Sequence, residues 1–179
     1  MNATSVRIHL LLNSSLLLAT AGAAIAQQPG VRAPLQSANN RKPAPEFALR
    51  DASGKTARLK DYHGKVLLLD FWATWCTGCK KEIPWFAEFQ QTFGEKRFAV
   101  VGISLDDGGW KVLKPFLGDH KIPYRILLGD DATAKQYGIT NMPDTFLIDQ
   151  HGRVAAVYRA GLVDKDDVEA NIKAILSKH

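Results

Sequence analysis

Two cysteines, Cys76 and Cys79, are the only cysteines in the 179-residue chain. Such a Cys-x-x-Cys pair can alternate between a dithiol and a disulfide, and the thiolate is the form that attacks another disulfide. Apolar residues recur at helical spacing from Ile83 to Phe93, so the pair should lie at a helix N-terminus. Unpaired N–H groups and the helix dipole stabilise an anion there. We therefore expect Cys76 to be the exposed attacking thiol and Cys79 the more buried resolving thiol.

The residues before the cysteines form an apolar run from Val66 to Leu69, followed by a lone acid, Asp70. This length and composition predict a fully buried strand. Two tryptophans, Trp72 and Trp75, connect the strand to the cysteines, and Trp75 should be the more exposed of the two. Inside the helix that follows, Pro84 removes a backbone donor and should kink the helix without ending it.

The segment DFWATWCTGCKKEIP resembles the active-site segment of thioredoxin-fold oxidoreductases, especially the extracytoplasmic TlpA, ResA and CcmG branch. The resemblance extends over roughly residues 43 to 178. It implies an α/β thioredoxin fold, with a central mixed β-sheet flanked by helices. It also implies an N-terminal β-hairpin and a helix–strand insertion before the strand that follows Pro143. The activity implied is that of a protein-disulfide oxidoreductase whose only redox group is the Cys76–Cys79 pair.

The remaining apolar patterns are consistent with that fold. Short segments bounded by Gly, Asp and Ser predict strands, and apolar residues three or four positions apart predict helices. The expected strands are Phe47 to Leu49, Thr56 to Leu59, Phe98 to Ser104, Tyr124 to Leu128, Thr145 to Ile148 and Val154 to Tyr158. The expected helices carry Trp110, Leu113 and Leu117 around Pro115, then Ala132 to Tyr137, then Val168, Ile172 and Ile175.

The first 26 residues differ from the rest of the chain. They contain no acidic residue, Arg7 is their only basic side chain, and they end in Ala24-Ile25-Ala26. These features predict a signal peptide that is cleaved after residue 26. An uncleaved membrane anchor is the alternative, although Asn13 to Ser15 interrupt the apolar tract and a span needs about 20 mainly apolar residues. Residues 27–42 are rich in Gln, Asn and Pro and predict a flexible linker, and residues 43–179 the thioredoxin-like domain.

Two acids could handle protons near the cysteines. Asp70 lies in an apolar strand, and the resemblance implies that it accepts the proton of Cys79; alternatively it caps a neighbouring element or pairs with a lysine. Glu82 lies one helical turn beyond Cys79. The resemblance implies that Glu82 tunes the cysteines, whereas the alternative is an ordinary exposed acid. Many relatives have no acid matching Asp70, so here the two acids could share the proton transfer.

The substrate-binding surface is expected around Met142 and Pro143. The resemblance implies a cis-proline beside the disulfide, whose flanking peptide groups pair with an extended substrate chain. A trans proline is the alternative. Asp144 stands where the family usually has threonine, which adds a negative charge near the cleft. Trp75 and the dipeptide Thr77-Gly78 should complete this surface, and the dipeptide also influences the redox potential.

Three other functions fit the sequence less well. A purely structural disulfide is disfavoured because so short a loop constrains few residues of the unfolded chain. A peroxiredoxin would need Pro and Thr at the positions of Leu69 and Ala73. A copper-handling protein would need a third ligand near the thiolates, and His63, His120 and His151 are all expected in loops or turns. Neither zinc binding nor haem attachment is expected, so we expect no metal and no cofactor.

Charge and resemblance together define the expected partners. The net charge is +5 at pH 7, with no basic run longer than two residues, so no nucleic acid is expected. The resemblance implies an extracytoplasmic, periplasmic monomer that reduces selected protein disulfides. It further implies an upstream membrane electron donor and a place in cytochrome c maturation.

Overall fold

The computed structural model describes residues 30–177, which form one mixed β-sheet with helices packed on it. The strands are β1 (Ala48–Asp51), β2 (Thr56–Arg58), β3 (Val66–Trp72), β4 (Phe98–Ser104), β5 (Arg125–Leu128), β6 (Asp144–Ile148) and β7 (Val154–Tyr158). The helices are α1 (Thr77–Phe93), α2 (Trp110–His120), α3 (Asp131–Tyr137) and α4 (Lys165–Leu176). The strand order across the sheet is β2-β1-β5-β4-β3-β6-β7. The α/β thioredoxin fold expected from the sequence is thus confirmed.

Strand β3 lies inside the sheet between β4 and β6, and every one of its residues is buried. It pairs in parallel with β4 and antiparallel with β6, so Asp70 faces Gly102 on one side and Thr145 on the other. Successive side chains of a strand point to opposite faces. Leu68 accordingly packs with α1 on one face, whereas Leu69 joins the separate core on the other face. The chain leaves β3 directly into the turn that carries the cysteines.

Two additions enlarge the sheet at one edge. The antiparallel pair β1 and β2 attaches through β1 to β5, again in antiparallel register. Helix α2 and strand β5 are inserted between β4 and α3, and α2 continues past Pro115 for five more residues. The ring of Phe116 on α2 lies 5.4 Å from that of Trp72. The insertion therefore supports the tryptophan that precedes the redox turn.

The chain before residue 43 is not a free linker in the part the structure describes. Val31 forms a parallel bridge with Val163, Ala33 is buried in the main core, and Gln36 donates its N–H to Ala155. The guanidinium of Arg41 pairs with Asp149 at 3.2 Å. The flexible linker predicted for residues 27–42 is therefore wrong from residue 31 onward, because these residues find hydrogen-bond partners on the domain.

The predicted signal peptide, residues 1–26, lies outside the described residues. Within residues 30–177, none of the helices is both long enough and apolar enough to cross a membrane.

Candidate functional site

The two cysteines form a disulfide at the start of helix α1, with their Cα atoms 5.3 Å apart. Cys76 caps the helix, since its Sγ accepts the N–H of Cys79 at 3.1 Å. Cys76 is 7% exposed and Cys79 is fully buried. The order of exposure is the expected one, but Cys76 presents only a small part of its surface to solvent. The capping N–H is the group that would stabilise a thiolate at Cys76 after reduction.

A buried carboxylate that the sequence did not reveal fixes the turn before the cysteines. Asp106 accepts the N–H and the hydroxyl of Thr74, the latter at 2.6 Å. It also accepts the hydroxyl of Ser104 at 2.7 Å. Strands β3 and β4 are parallel neighbours, so polar residues just beyond their ends meet at the same edge of the sheet. That rule could have drawn attention to Asp106, which positions the backbone leading to Cys76.

The substrate-binding candidates come together around the disulfide. The Met142–Pro143 peptide bond is cis, and Pro143 is buried. A methyl group placed on Gly78 would lie 3.4 Å from Pro143 Cδ, so the helix start and the proline are in close contact. Trp75 is 65% exposed, and Thr77 is exposed as well. An apolar, solvent-facing ring therefore adjoins Cys76 on the surface that a substrate must approach.

The negative charge expected at Asp144 is compensated. Asp144 is buried, and its carboxylate accepts a hydrogen bond from Arg159 at 2.7 Å. A second hydrogen bond comes from the N–H of Ala160 at 2.8 Å. Arg159 also donates to the carbonyls of Tyr137 and Gly138, so it ties the strand after the cis-proline to the end of α3. The replacement of threonine by Asp144 thus adds an ion pair to this region and no free charge.

Asp70 lies in β3 and is almost completely buried. Its carboxyl is buried and is contacted by the hydroxyl of Thr145, which donates to Oδ1 at 3.3 Å. Burial raises the pKa of Asp70 to about 7, the Thr145 hydroxyl lowers it, and the nearby charge of Asp144 raises it further. The contact is thus with a hydroxyl, and neither a lysine nor a capping interaction explains it. A carboxyl with a pKa near neutrality can accept a proton and release it.

Glu82 is fully buried, so the alternative of an ordinary exposed helix acid is wrong. Its Oε1 accepts the N–H of Val163 at 2.7 Å, while Oε2 has no hydrogen-bond partner among the described residues. Burial raises the pKa of Glu82 to about 9, and the neighbouring Asp70 adds to the rise, against the lowering effect of the Val163 N–H. Glu82 is therefore protonated at neutral pH.

The two acids share one buried region. The charge of Asp70 raises the pKa of Glu82, so the two acids release their protons as a pair. Tyr124, also buried, has its pKa raised by burial first and then by both acids. The sequence predicted both acids as candidates, but it gave no indication that a tyrosine from the segment before β5 lies beside them. At neutral pH, Glu82 and Tyr124 are therefore uncharged, and of the three groups only Asp70 is partly ionised.

We expect Glu82→Gln to stabilise the protein at alkaline pH. In the unfolded chain Glu82 ionises near its ordinary pKa, whereas in the folded chain it stays protonated to about pH 9. The folded state therefore loses stability as the pH rises from about 4.5 towards 9. Glutamine cannot ionise, yet its amide oxygen can still accept the N–H of Val163. The free energy of unfolding should rise by on the order of 2 kcal/mol at pH 8 and stay unchanged near pH 4.

Urea unfolding of the oxidised protein at both pH values measures this effect. Glu95→Gln, at an exposed position after α1, is the matched control and should change neither value. An equal change from Glu82→Gln at pH 4 and pH 8 would show that Glu82 ionises normally in the fold.

No group of three or more His, Cys, Asp and Glu side chains suited to a metal ion occurs within residues 30–177. His120 is the last residue of α2, in contrast to the loop position expected from the sequence. Its ring stacks on Phe116 at 3.9 Å, and Nδ1 lies 2.9 Å from the Phe116 carbonyl oxygen.

The chain is similar in sequence and in structure to known thiol-disulfide oxidoreductases. Residues 41–157 match the AhpC/TSA family. The thiol-disulfide oxidoreductase ResA of Bacillus thuringiensis subsp. konkukian (strain 97-27) is 36% identical over 136 residues, 75% of this chain and 77% of that protein. ResA of Geobacillus thermodenitrificans (strain NG80-2) is 31% identical over 133 residues, 74% of this chain and 75% of that protein. The crystal structure of a candidate thiol:disulfide interchange protein DsbE from Chlorobium tepidum is similar at a TM-score of 0.72 and 33% identity, covering 80% of this chain and 99% of that one.

Proposed function

The chain belongs to the AhpC/TSA family and is a thioredoxin-like protein-disulfide oxidoreductase of the ResA and DsbE type, and from that premise we propose that it is an exported reductant of selected protein disulfides. The observation that supports the proposal is the Cys76–Cys79 disulfide on a helix N-terminus with two buried acids near it. The peroxiredoxin signature is absent at Leu69 and Ala73, so we propose no peroxidase activity.

The reaction is two successive thiol–disulfide exchanges. The Cys76 thiolate attacks one sulfur of the substrate disulfide, forms a mixed disulfide and releases the other substrate sulfur as a thiolate. Cys79 then loses its proton, and its sulfur attacks Cys76 Sγ, which releases the second substrate sulfur. The substrate gains two electrons and two protons, and the enzyme is left with the Cys76–Cys79 disulfide. We propose that Asp70 accepts the proton from Cys79, since its pKa near 7 suits that transfer.

We propose that electrons flow from the enzyme to the substrate, because the environment of Cys79 disfavours its thiolate. Strong oxidants of this kind are those whose reduced, thiolate form is stabilised. Burial of Cys79 disfavours its thiolate, and any ionisation of Asp70 or Glu82 would disfavour it further. Destabilising the thiolate favours the disulfide form of the enzyme, so the dithiol gives its electrons up. The reduced protein should therefore reduce the disulfides of insulin, and insulin left fully oxidised would contradict the proposal.

The substrate should be a polypeptide that lies across Trp75 and the cis-proline. An extended chain can pair with the peptide groups beside Met142 and Pro143, while the exposed indole of Trp75 contacts its apolar side chains. An upstream membrane electron donor would restore the dithiol after each cycle. We propose that the enzyme acts as a monomer, and that its substrates include proteins matured for cytochrome c assembly.

Export rests on the pattern of residues 1–26, which is that of a secretory signal peptide. The mature protein should begin at Gln27 in the periplasm or an equivalent compartment. N-terminal sequencing of the protein recovered from the cell envelope checks this. An intact Met1 in the membrane fraction would indicate an anchor in place of a cleaved signal.

A further inference from the structure

A short strap at the start of the described chain, residues 30–36, is hydrogen-bonded to the turn that precedes helix α4. The N–H of Val31 donates to the carbonyl of Leu162, and the N–H of Asp164 donates to the carbonyl of Val31, both at 2.8 Å. These two bonds flank Val163, which is buried. The backbone of Leu162 to Asp164 is thus held on its outer side by the strap.

Side chains reinforce this contact. Arg32 pairs with Asp164 at 3.0 Å and with Asp167 at 3.2 Å. Asp167 also accepts the N–H of Ala33 at 3.1 Å, and the side-chain amide of Asn171 donates to the Ala33 carbonyl at 3.0 Å. Single exposed ion pairs add little stability. Here, however, three consecutive strap residues, Val31, Arg32 and Ala33, are each bonded to α4 or to the turn before it.

The fit between strap and turn leaves no space for a larger residue. A methyl group on Gly30 would lie 2.6 Å from both the N and Cα atoms of Asp164. A methyl group on Gly161 would lie 2.8 Å from a side-chain carbon of Val31. Backbone atoms cannot move aside as a flexible side chain can. The strap therefore packs against the turn only because residue 30 has no side chain.

The inner side of the same turn holds Glu82. The N–H of Val163 points inward to Glu82 Oε1 at 2.7 Å, while its two neighbours in the chain bond outward to Val31. One peptide segment therefore separates the strap from the buried carboxyl. Asp70 from β3 and Tyr124 from the segment before β5 approach Glu82 from the sheet, and Cys79 lies one turn earlier on its own helix. The charged groups outside the turn, Arg32 with Asp164 and Asp167, are paired with one another.

We propose that the strap is a positioning element of the redox site, which holds the Leu162–Asp164 turn over Glu82 and keeps water from that carboxyl. The inference rests on the proposed function, in which Glu82 tunes the cysteine pair. When the strap is displaced, water enters and the dominant cause of the raised pKa, burial, is weakened. Glu82 then ionises at neutral pH, and its negative charge disfavours the nearby thiolate. The strap thereby acts on the cysteines through Glu82 without touching them.

The test uses Gly30→Ala in the full chain, reduced, with the rate of Cys76 alkylation by iodoacetamide measured from pH 5 to 10. We expect alkylation at pH 7 to slow by roughly threefold to tenfold, as the thiol pKa rises by up to about one unit. The same substitution in a Glu82→Gln background should leave the profile unchanged, since no charge can then form. Arg32→Ala should have a smaller effect in the same direction. It allows the same measurement if the Gly30→Ala variant does not fold.

Arg41→Gln is the matched control, because it loosens the same N-terminal segment at its pairing with Asp149 and lies outside the strap. It should alter the alkylation profile less than Arg32→Ala does. The proposal is overturned if Gly30→Ala and Arg32→Ala leave the profile unchanged, if they accelerate alkylation, or if their effect persists in the Glu82→Gln background. Glu82→Gln alone should leave the profile below about pH 8 nearly unchanged, because Glu82 is already protonated there. Failure to reduce insulin would overturn only the proposed function.

Discussion

Replacing Asp70 with Asn is expected to slow the resolution of mixed disulfides by about 10²- to 10⁴-fold near neutral pH, the usual loss when a general base is removed. Asparagine has nearly the same shape as aspartate, and its amide oxygen can still accept the hydroxyl of Thr145. It cannot accept a proton from Cys79, however. The fold should therefore be retained while the second exchange becomes slow.

The measurement starts from a mixed disulfide formed at Cys76 with a chromogenic thiol and follows release of that thiol over time. Part of the deficit should disappear above about pH 9, where Cys79 ionises without a base. Asp107→Asn, at an exposed position after β4, is the matched control and should resolve at the parent rate. If Asp70→Asn resolves normally and Glu82→Gln carries the kinetic defect, Glu82 is the proton acceptor and the assignment to Asp70 is wrong.

The largest effect is expected from the cysteines themselves. Cys79→Ser should accumulate mixed disulfides through Cys76, because the first exchange proceeds and the second has no nucleophile. Cys76→Ser should accumulate none, since Cys79 is fully buried and cannot reach a protein substrate. Both variants should reduce insulin only at the rate of the uncatalysed reaction with the added thiol.

Affinity-tagged variants recovered from the cell envelope under acid-quenched, alkylated conditions allow this to be measured. Non-reducing electrophoresis should show additional high-mass bands for Cys79→Ser that disappear on reduction. The double variant Cys76→Ser with Cys79→Ser is the control for non-specific association. Equal trapping by the two single variants would show that the assigned order of attack is incorrect.

The central parts of the molecule could be predicted from sequence because they depend on local patterns. An uninterrupted apolar run predicts a buried strand, and helical periodicity after the cysteines predicts α1. These two elements alone place Cys76 and Cys79 at a helix N-terminus. The pairing of β3 with β6 then brings Thr145 next to Asp70.

What the sequence did not predict depends on contacts between distant segments. Asp106 lies 32 residues from Thr74, and Val163 lies 81 residues from Glu82. Periodicity shows which face a residue occupies, but it does not show which segment covers that face. Hence the helix pattern left the burial of Glu82 open.

The N-terminal strap lies in the segment that the sequence predicts to be a flexible linker, and this prediction fails for a related reason. The strap belongs to a segment, residues 27–42, that is rich in Pro, Gln and Asn, a composition typical of unstructured segments. It is held largely by backbone hydrogen bonds, such as those of Val31 and Gln36, and any non-proline residue can form these. The glycine at position 30 was the informative signal, because its lack of a side chain permits the close approach to Asp164.

Equilibration of the full chain against a series of dithiothreitol and glutathione buffers at pH 7, with alkylation of free thiols and mass measurement as the readout, tests the central claim most directly. A reductant should show a single two-electron transition of the Cys76–Cys79 pair, with a midpoint closer to the value of about −270 mV of thioredoxin than to the value of about −120 mV of DsbA. A midpoint near −120 mV would mean that the enzyme oxidises its substrates, and the proposed direction of electron flow would be wrong.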